Sequence, residues 1–156
     1  MFPPQNPNLK PESMWNYEIA FSQKLMDGRL SYGVNLFYID GKNLIMTLPN
    51  PNGSGQINLN SGKIDNTGVE VQTAYRINQA WSVNGNYSFL HMENPVVAAP
   101  EHKLYAGANF MQGRWNLSTG VQYIAELYTS TDPAVTESFV LWNLRASFRA
   151  ARWLDI

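Results

Sequence analysis

The sequence contains no cysteine. This absence excludes a disulfide framework, thiol-based catalysis and every iron–sulfur or cysteine-ligated zinc site. It does not identify a compartment, because exported bacterial proteins can also do without the residue.

Long apolar runs are missing as well. No stretch approaches the roughly 18 consecutive apolar residues that a membrane-spanning helix requires. The N-terminal segment MFPPQNPNLKPE has neither the charged region nor the apolar region of a secretory signal. Any export signal is therefore expected to lie outside this chain.

The chain also has no excess of charge of one sign. It carries 11 Lys and Arg against 12 Asp and Glu, without a run of either. The basic surface of a nucleic-acid-binding protein is absent, so we expect no nucleic-acid partner. No Ser/His/Asp elbow, phosphate-cradling glycine loop or usefully spaced carboxylate pair appears, so the sequence predicts neither an enzyme nor a cofactor.

What the sequence does have is alternation. Of its 156 residues, 44% are apolar and 13% aromatic, and the apolar ones recur with a period of two, which is typical of β-strands. In the first strand, Trp15, Tyr17, Ile19 and Phe21 alternate with polar residues. The predicted strands cover about 14–25, 30–46, 67–77, 81–92, 102–112, 114–129 and 137–150, and an eighth begins at Trp153.

The connections between these strands alternate in length. Short turns are predicted at 26–29, 78–80, 112–114 and 150–152, and long loops at 41–66, 93–101 and 129–137. In an antiparallel meander, consecutive connections lie at opposite ends of the sheet. All the short turns should therefore lie at one end and all the long loops at the other.

This asymmetry, together with one apolar face, indicates an all-β antiparallel meander that forms part of a transmembrane β-barrel. Such a barrel pairs its whole backbone and presents its apolar face to lipid. Trp15, Trp81, Trp115 and Trp153 are predicted beside short turns, as an interfacial aromatic belt. A soluble β-barrel that binds a small ligand also alternates, but its solvent face usually carries Lys and Glu, whereas here Asn, Ser, Gln and Gly dominate.

Single-chain bacterial barrels have an even number of strands and must close. This chain begins in a Pro-rich loop and stops four residues into its eighth strand, so it is interpreted as a fragment of a longer protein. Two alternatives stay open: a small structural or adhesive outer-membrane barrel, and the soluble ligand-binding barrel.

Several segments in order resemble the barrel domain of TonB-dependent outer-membrane receptors. They are NPNLKPE leading into a strand, the turn MDGRL, NLFYIDGKNLI, NTGVEVQTAYRINQAWSVNGNYSFL and AAPEHKLYAGANF. The resemblance covers essentially the whole chain.

The resemblance implies a receptor of the bacterial outer membrane, with a barrel of about 22 strands that is plugged by an N-terminal domain. Such a receptor imports a scarce nutrient, namely siderophore-iron, cobalamin, haem or a glycan, with energy delivered by the TonB complex. Residues 1–156 would form about eight of those strands, without the plug domain, the TonB box or the final strands. The expected partners are outer-membrane lipid, the receptor's own plug domain, the TonB complex and a small nutrient ligand.

Two sets of candidate site residues follow. Ligand contacts are expected from the longest predicted loop, at Asn50, Asn52, Gln56, Asn58 and Asn60. Charged residues on the polar face of a barrel are usually paired across strands or with a plug. Among them Glu18, Glu70 and Arg145 are expected to contact the plug.

Both histidines of the chain, His91 and His102, flank the predicted loop 93–101. With Glu93 and Glu101 they form the one constellation that could hold a transition metal. Their spacing matches no metal-binding motif. The sequence therefore predicts no metal site, with His91 and His102 as the only candidates.

Overall fold

The computed structural model describes residues 6–151 and 154–155. They form one antiparallel sheet of eight strands that lie side by side in chain order, which confirms the predicted all-β meander. The strands are β1 Ser13–Leu25, β2 Leu30–Pro49, β3 Gln56–Arg76, β4 Trp81–Met92, β5 Pro100–Gln112, β6 Trp115–Thr131, β7 Ala134–Ala151 and β8 Leu154–Asp155. The described residues include no helix that is long and apolar enough to cross a membrane.

The strand register sorts the side chains onto two faces. Residues that lie opposite each other on neighbouring strands share a face, because side chains alternate along each strand. One row across the sheet joins Phe21, Val34, Val71, Tyr87, Leu104, Tyr123 and Val140. We call this side the apolar face. The opposite side, the polar face, carries among others Glu18, Ser22, Asn35, Glu70, Gln72, Asn86, Ser88, Lys103, Gln122 and Arg145.

The apolar face is not covered by protein. Within the described part of the chain, the only buried hydrophobic residues are Met92, 4% exposed, and Ala125, 8% exposed. Large apolar side chains stand open instead, with Ile19 74% exposed and Trp142 69% exposed. A soluble sheet buries such a face against a second layer. The exposed apolar face is therefore suited to contact with lipid.

The predicted loop 41–66 is wrong. The structure continues β2 to Pro49 and starts β3 at Gln56, so only 50–55 connect them. Register shifts follow Gly41 and Leu44. Beyond the apolar face of a barrel both sides of a hairpin meet water, so its strands need no alternation, and the sequence pattern gives no strand signal after about residue 46. We call residues 42–63 the hairpin extension.

The predicted loop 129–137 is wrong for the same reason. Strand β6 runs to Thr131 and β7 begins at Ala134, so the pairing continues almost to the tip of the hairpin. Of the three predicted long loops, only the one that follows β4 is a connection over most of its predicted length, at 93–99. The short connections and the longer hairpin ends still lie at opposite ends of the sheet.

The segment before β1 packs on the hairpin extension. The Asn6 side-chain amide donates to the Asn58 carbonyl oxygen at 2.9 Å. The Lys10 backbone N–H donates to Asn60 Oδ1 at 2.7 Å, and Asn60 Nδ2 donates to the Lys10 carbonyl at 2.9 Å. The Glu12 carboxylate accepts a hydrogen bond from the Ile45 N–H at 2.8 Å. These bonds attach the chain before β1 to β2 and β3.

The predicted position beside a short turn is confirmed for two of the tryptophans. Trp81 and Trp115 begin the strands that follow short connections, and their rings contact Phe110 and Phe148 at centroid distances of 4.9 and 4.7 Å. The prediction is wrong for Trp15, which lies opposite Asp40, at the end of the sheet far from the turn at 26–29. Trp153 lies outside the described residues.

Gly68 is required by a close approach. Phe37 interrupts the alternation of β2 and lies opposite Gly68 on the polar face. A Cβ atom at Gly68 would overlap the Phe37 ring and lie 2.7 Å from the Phe89 carbonyl oxygen. Only glycine leaves room for this ring on the strand surface.

Candidate functional site

The polar face contains a depression that crosses five strands. Its volume is about 560 Å³, and it is lined by charged and polar side chains that include Glu18, Asn35, Glu70, Ser88 and Lys103. Strand alternation places all five on the same side of the sheet. Water, a peptide segment or a polar ligand could lie against such a surface.

Two of the three predicted plug contacts line this depression. Asn35 Nδ2 donates to Glu18 Oε1 at 2.6 Å, whereas Asn35 Oδ1 is buried and has no hydrogen-bond partner in the described part of the chain. Glu70 lies opposite Asn35. In the described ranges neither carboxylate forms a salt bridge. The two acids therefore offer hydrogen-bond acceptors to whatever occupies the space in front of the face.

Arg145, the third predicted plug contact, lies elsewhere on the polar face. It is on β7, opposite Ser118 of β6, and does not line the depression with Glu18 and Glu70. The structure therefore places the three residues on one face but brings only two of them together. Contact with a plug stays a prediction for all three.

The predicted ligand-binding residues divide into two groups. Residues 51–56, which include Asn52 and Gln56, are exposed at the tip of the hairpin extension, and Asn50 Oδ1 accepts the Asn52 N–H at 3.0 Å. Asn58 and Asn60 lie on β3, where their side chains bond to protein groups. Asn58 Oδ1 accepts the Thr47 hydroxyl at 2.8 Å, and Asn60 Nδ2 also donates to the Asn43 carbonyl. The tip therefore has the freer side chains for ligand contact.

An ion network that the sequence did not reveal lies at the base of the hairpin extension. Lys63 Nζ lies 3.0 Å from Asp65 and 3.1 Å from Glu93, and Lys42 lies 2.7 Å from Asp40. The hydrogen bond from Lys63 holds the pKa of the Asp65 carboxyl below its usual range and raises the pKa of Lys63. Charged groups thus begin where the apolar face ends.

The structure places only one of the two histidines in a cluster of possible metal ligands. His102 lies on the apolar face near the start of β5, just after the 93–99 connection. Its ring lies beside the Phe89 ring, with the centroids 5.0 Å apart. Its Nδ1 is 2.8 Å from the Tyr87 hydroxyl, and its Nε2 is 4.0 Å from a Glu126 carboxylate oxygen. Glu101 completes a group whose possible ligand atoms all lie within 4.8 Å of one another, and His91 is not part of it.

Glu126 corrects the sequence assignment. The alternation of β6 predicts it on the polar face, but the register shifts between Ile124 and Leu127, and Glu126 has a φ of 54°. This bulge lets its side chain reach His102 on the apolar side. Nothing in the sequence identifies the pair, because 24 positions separate the two residues and only the pairing of β5 with β6 joins them.

A single-layer meander with one exposed apolar face and one polar face defines a segment of the wall of a membrane β-barrel. The family model described as TonB dependent receptor-like, beta-barrel matches residues 1–154. The chain therefore belongs to the barrel family of TonB-dependent receptors. The comparison with curated proteins gave no match.

Solved structures share this fold. The siderophore receptor PiuA from Acinetobacter baumannii aligns with 97% of this chain and 24% of its own, at 16% identity and a TM-score of 0.78. The copper transporter OprC aligns with 96% of this chain and 26% of its own, at 14% identity and a TM-score of 0.73. The ferric-catecholate import receptor Fiu from E. coli K12 aligns with 96% of this chain and 23% of its own, at 23% identity and a TM-score of 0.69. The chain thus spans about a quarter of each of these proteins.

Proposed function

We propose that this chain forms part of the barrel wall of an outer-membrane receptor that imports a scarce nutrient with energy from the TonB complex. Residues 1–156 would supply about eight of roughly 22 strands, and the rest of the receptor would supply the plug and the closing strands. The apolar face would contact lipid, and the polar face would contact the plug and the path of the ligand.

The observation that carries this proposal is the pair of opposed faces on a sheet without a second layer. The described residues bury almost no hydrophobic side chain, so lipid is needed to cover Ile19, Trp142 and their neighbours. This argues against the soluble barrel, whose apolar face would be an interior. The match to the receptor family over 1–154 argues against a small structural barrel.

Siderophore-iron is the ligand class that we favour among siderophore-iron, cobalamin, haem and glycans. PiuA is named a siderophore receptor and Fiu a ferric-catecholate import receptor. The test is uptake by a bacterium from which the gene for the intact receptor has been deleted, with labelled iron–siderophores, cobalamin, haem and glycans. We expect the deletion strain to lose uptake of one of these ligands, and uptake of that ligand to return when the gene is restored. Unchanged uptake of every ligand would refute nutrient import.

Within the receptor, we propose that Glu18 and Glu70 accept hydrogen bonds from the plug. Their carboxylates line one depression and have no salt-bridge partner in the described ranges. Glu70→Gln removes the charge but keeps the shape, so we expect the plug to be extracted at lower denaturant concentration. Glu137→Gln, on β7 far from the depression, is the control. Equal plug extraction in both variants would remove the support for this contact.

A further inference from the structure

We propose that Glu101, His102 and Glu126 form a binding site for a divalent transition-metal ion on the outer wall of the sheet. The site lies where the apolar face ends, on the side that the receptor would present to lipid headgroups. It is distinct from the polar face, and it does not depend on which nutrient the receptor imports.

The distances suit a metal ion better than a direct contact. His102 Nε2 and the Glu126 carboxylate are 4.0 Å apart, which is too long for a hydrogen bond. A Zn²⁺ ion lies about 2.0–2.2 Å from nitrogen and carboxylate ligands, so it can join two atoms at this separation. The Glu101 carboxylate is within 4.8 Å of both. A rotation of the more exposed carboxylate, Glu126, would close the three ligands around the ion and leave a fourth position for water.

Two tyrosines orient the ligands in the manner of outer-sphere partners. The Tyr87 hydroxyl is 2.8 Å from His102 Nδ1. When Nδ1 carries the proton, the hydroxyl oxygen accepts this hydrogen bond. The lone pair of Nε2, on the Glu126 side of the ring, is then free to bind a metal ion. The Tyr128 hydroxyl donates to Glu101 at 2.8 Å. Metal-binding histidines usually have their second nitrogen fixed in this way, which sets the tautomer and the ring orientation.

The backbone holds Glu126 in place at a conformational cost. A positive φ of 54° is unfavourable for glutamate. The Glu126 N–H donates to the side-chain Oγ of Ser138 on β7 at 3.2 Å, and the register of β6 with β7 shifts here. This bulge is what brings a carboxylate from β6 to a histidine of β5. Bulges of this kind often serve to redirect a side chain toward a functional site.

Charge balance also favours a cation. The cluster holds two carboxyl groups beside one imidazole, and Lys103, the next residue along β5, lies on the opposite face. A divalent ion would balance these carboxylates and link β5 to β6 beside the bulge that shifts the register of β6 with β7. Imidazole together with carboxylate is a ligand set that suits zinc and other first-row metals.

The test uses the intact receptor, purified in detergent, stripped with a chelator and titrated with Zn²⁺ by calorimetry. We expect one site whose affinity falls at least about a hundredfold in Glu126→Gln and in His102→Gln. Tyr87→Phe should lower the affinity by about 10- to 100-fold, the usual effect of an outer-sphere partner. His91→Gln, which lies outside the cluster, is the matched control and should bind Zn²⁺ as the wild type does.

Heat-modified gel mobility of each variant shows whether the barrel is folded, so loss of binding is separated from loss of structure. Cobalt titration adds a spectroscopic signature, because a bound Co²⁺ ion with nitrogen and oxygen ligands absorbs visible light. The proposal is overturned if Zn²⁺ affinity is the same in the wild type and in folded Glu126→Gln, or if His91→Gln lowers it equally. Nutrient uptake is scored separately, so failure of this site leaves the import proposal intact.

Discussion

A charge placed on the apolar face at mid-depth tests the membrane orientation most directly. Val71 lies on β3, six positions from Asp65 and six from Ile77, and its row includes Val34 and Tyr87. A strand rises about 3.3 Å per residue and a barrel strand tilts by about 40°, so Val71 would lie about 15 Å below Asp65. That depth is close to the middle of a hydrocarbon core that is about 30 Å thick.

Val71→Arg should therefore destabilise the receptor in lipid by about 2–4 kcal/mol, the cost of an arginine at the bilayer midplane of a barrel. This corresponds to a loss of about 30- to 700-fold in the folding equilibrium. The assay is denaturant titration of the intact receptor in lipid vesicles, followed by gel mobility without heating. The folding midpoint should move to lower denaturant concentration.

Gln72→Arg is the matched control. Gln72 is the next residue of the same strand, but it lies on the polar face between Gly33 and Asn86. An arginine there meets water or the plug rather than lipid, so its cost should stay below about 1 kcal/mol. Equal destabilisation by the two arginines, or a larger effect at Gln72, would refute the assignment of the apolar face to lipid.

Two further predictions concern the described contacts. Gly68→Ala should destabilise the barrel by about 1–3 kcal/mol, because the added methyl overlaps the Phe37 ring. In denaturant titration, Phe37→Leu combined with Gly68→Ala should restore part of that loss. If it restores none, the close packing of Phe37 on Gly68 is contradicted. Lys63→Met should return the lowered pKa of the Asp65 carboxyl toward its usual range, as measured by NMR titration. The contribution of this exposed pair to stability is present above the usual carboxyl pKa and is lost as the pH falls through the folded-state pKa. If the pKa of Asp65 is the same in Lys63→Met as in the wild type, the pairing is refuted.

The sequence predicted the two faces well because lipid imposes a one-sided pattern. From Trp15 to Phe21 of β1, side chains point in turn to the apolar face and to the polar face. Apolar and polar residues therefore alternate with a period of two, which the sequence shows directly. The turn after β1 was also predictable, since Asp27 and Gly28 both adopt positive φ there and such residues mark tight hairpins. The family resemblance rested on these same local features.

The hairpin extension escaped prediction because its strands have no fixed environment on either side. Asn58 and Asn60 have the composition of a loop, yet their backbones pair with Thr47 and Ile45. The polar groups that suggested ligand contact are used to hold the extension and the preceding segment together. Local sequence does not distinguish an asparagine that supports a hairpin from one that binds a ligand.

The proposed metal-binding cluster was only partly foreseen: Glu101 and His102 belong to the constellation that the sequence suggested, whereas Glu126 does not. Glu101 and His102 are neighbours in sequence, but a regular strand would direct their side chains to opposite faces. Only the end of β5, together with the bulge at Glu126, brings the three groups together. Alternation rules describe ideal ladders, so sites that are built at irregularities of the ladder are the ones they miss.

The scarcity of a buried core explains why this segment depends on its surroundings. With almost no hydrophobic side chain buried among the described residues, the sheet gains little from packing within itself, and its backbone ladder becomes the principal internal interaction. Along β1 that ladder has a partner on one side only, β2, within the described chain. An unpaired backbone group in hydrocarbon costs several kcal/mol. In a membrane, the free side of β1 therefore requires a further strand, and a closed barrel is the arrangement that supplies one without creating a new edge.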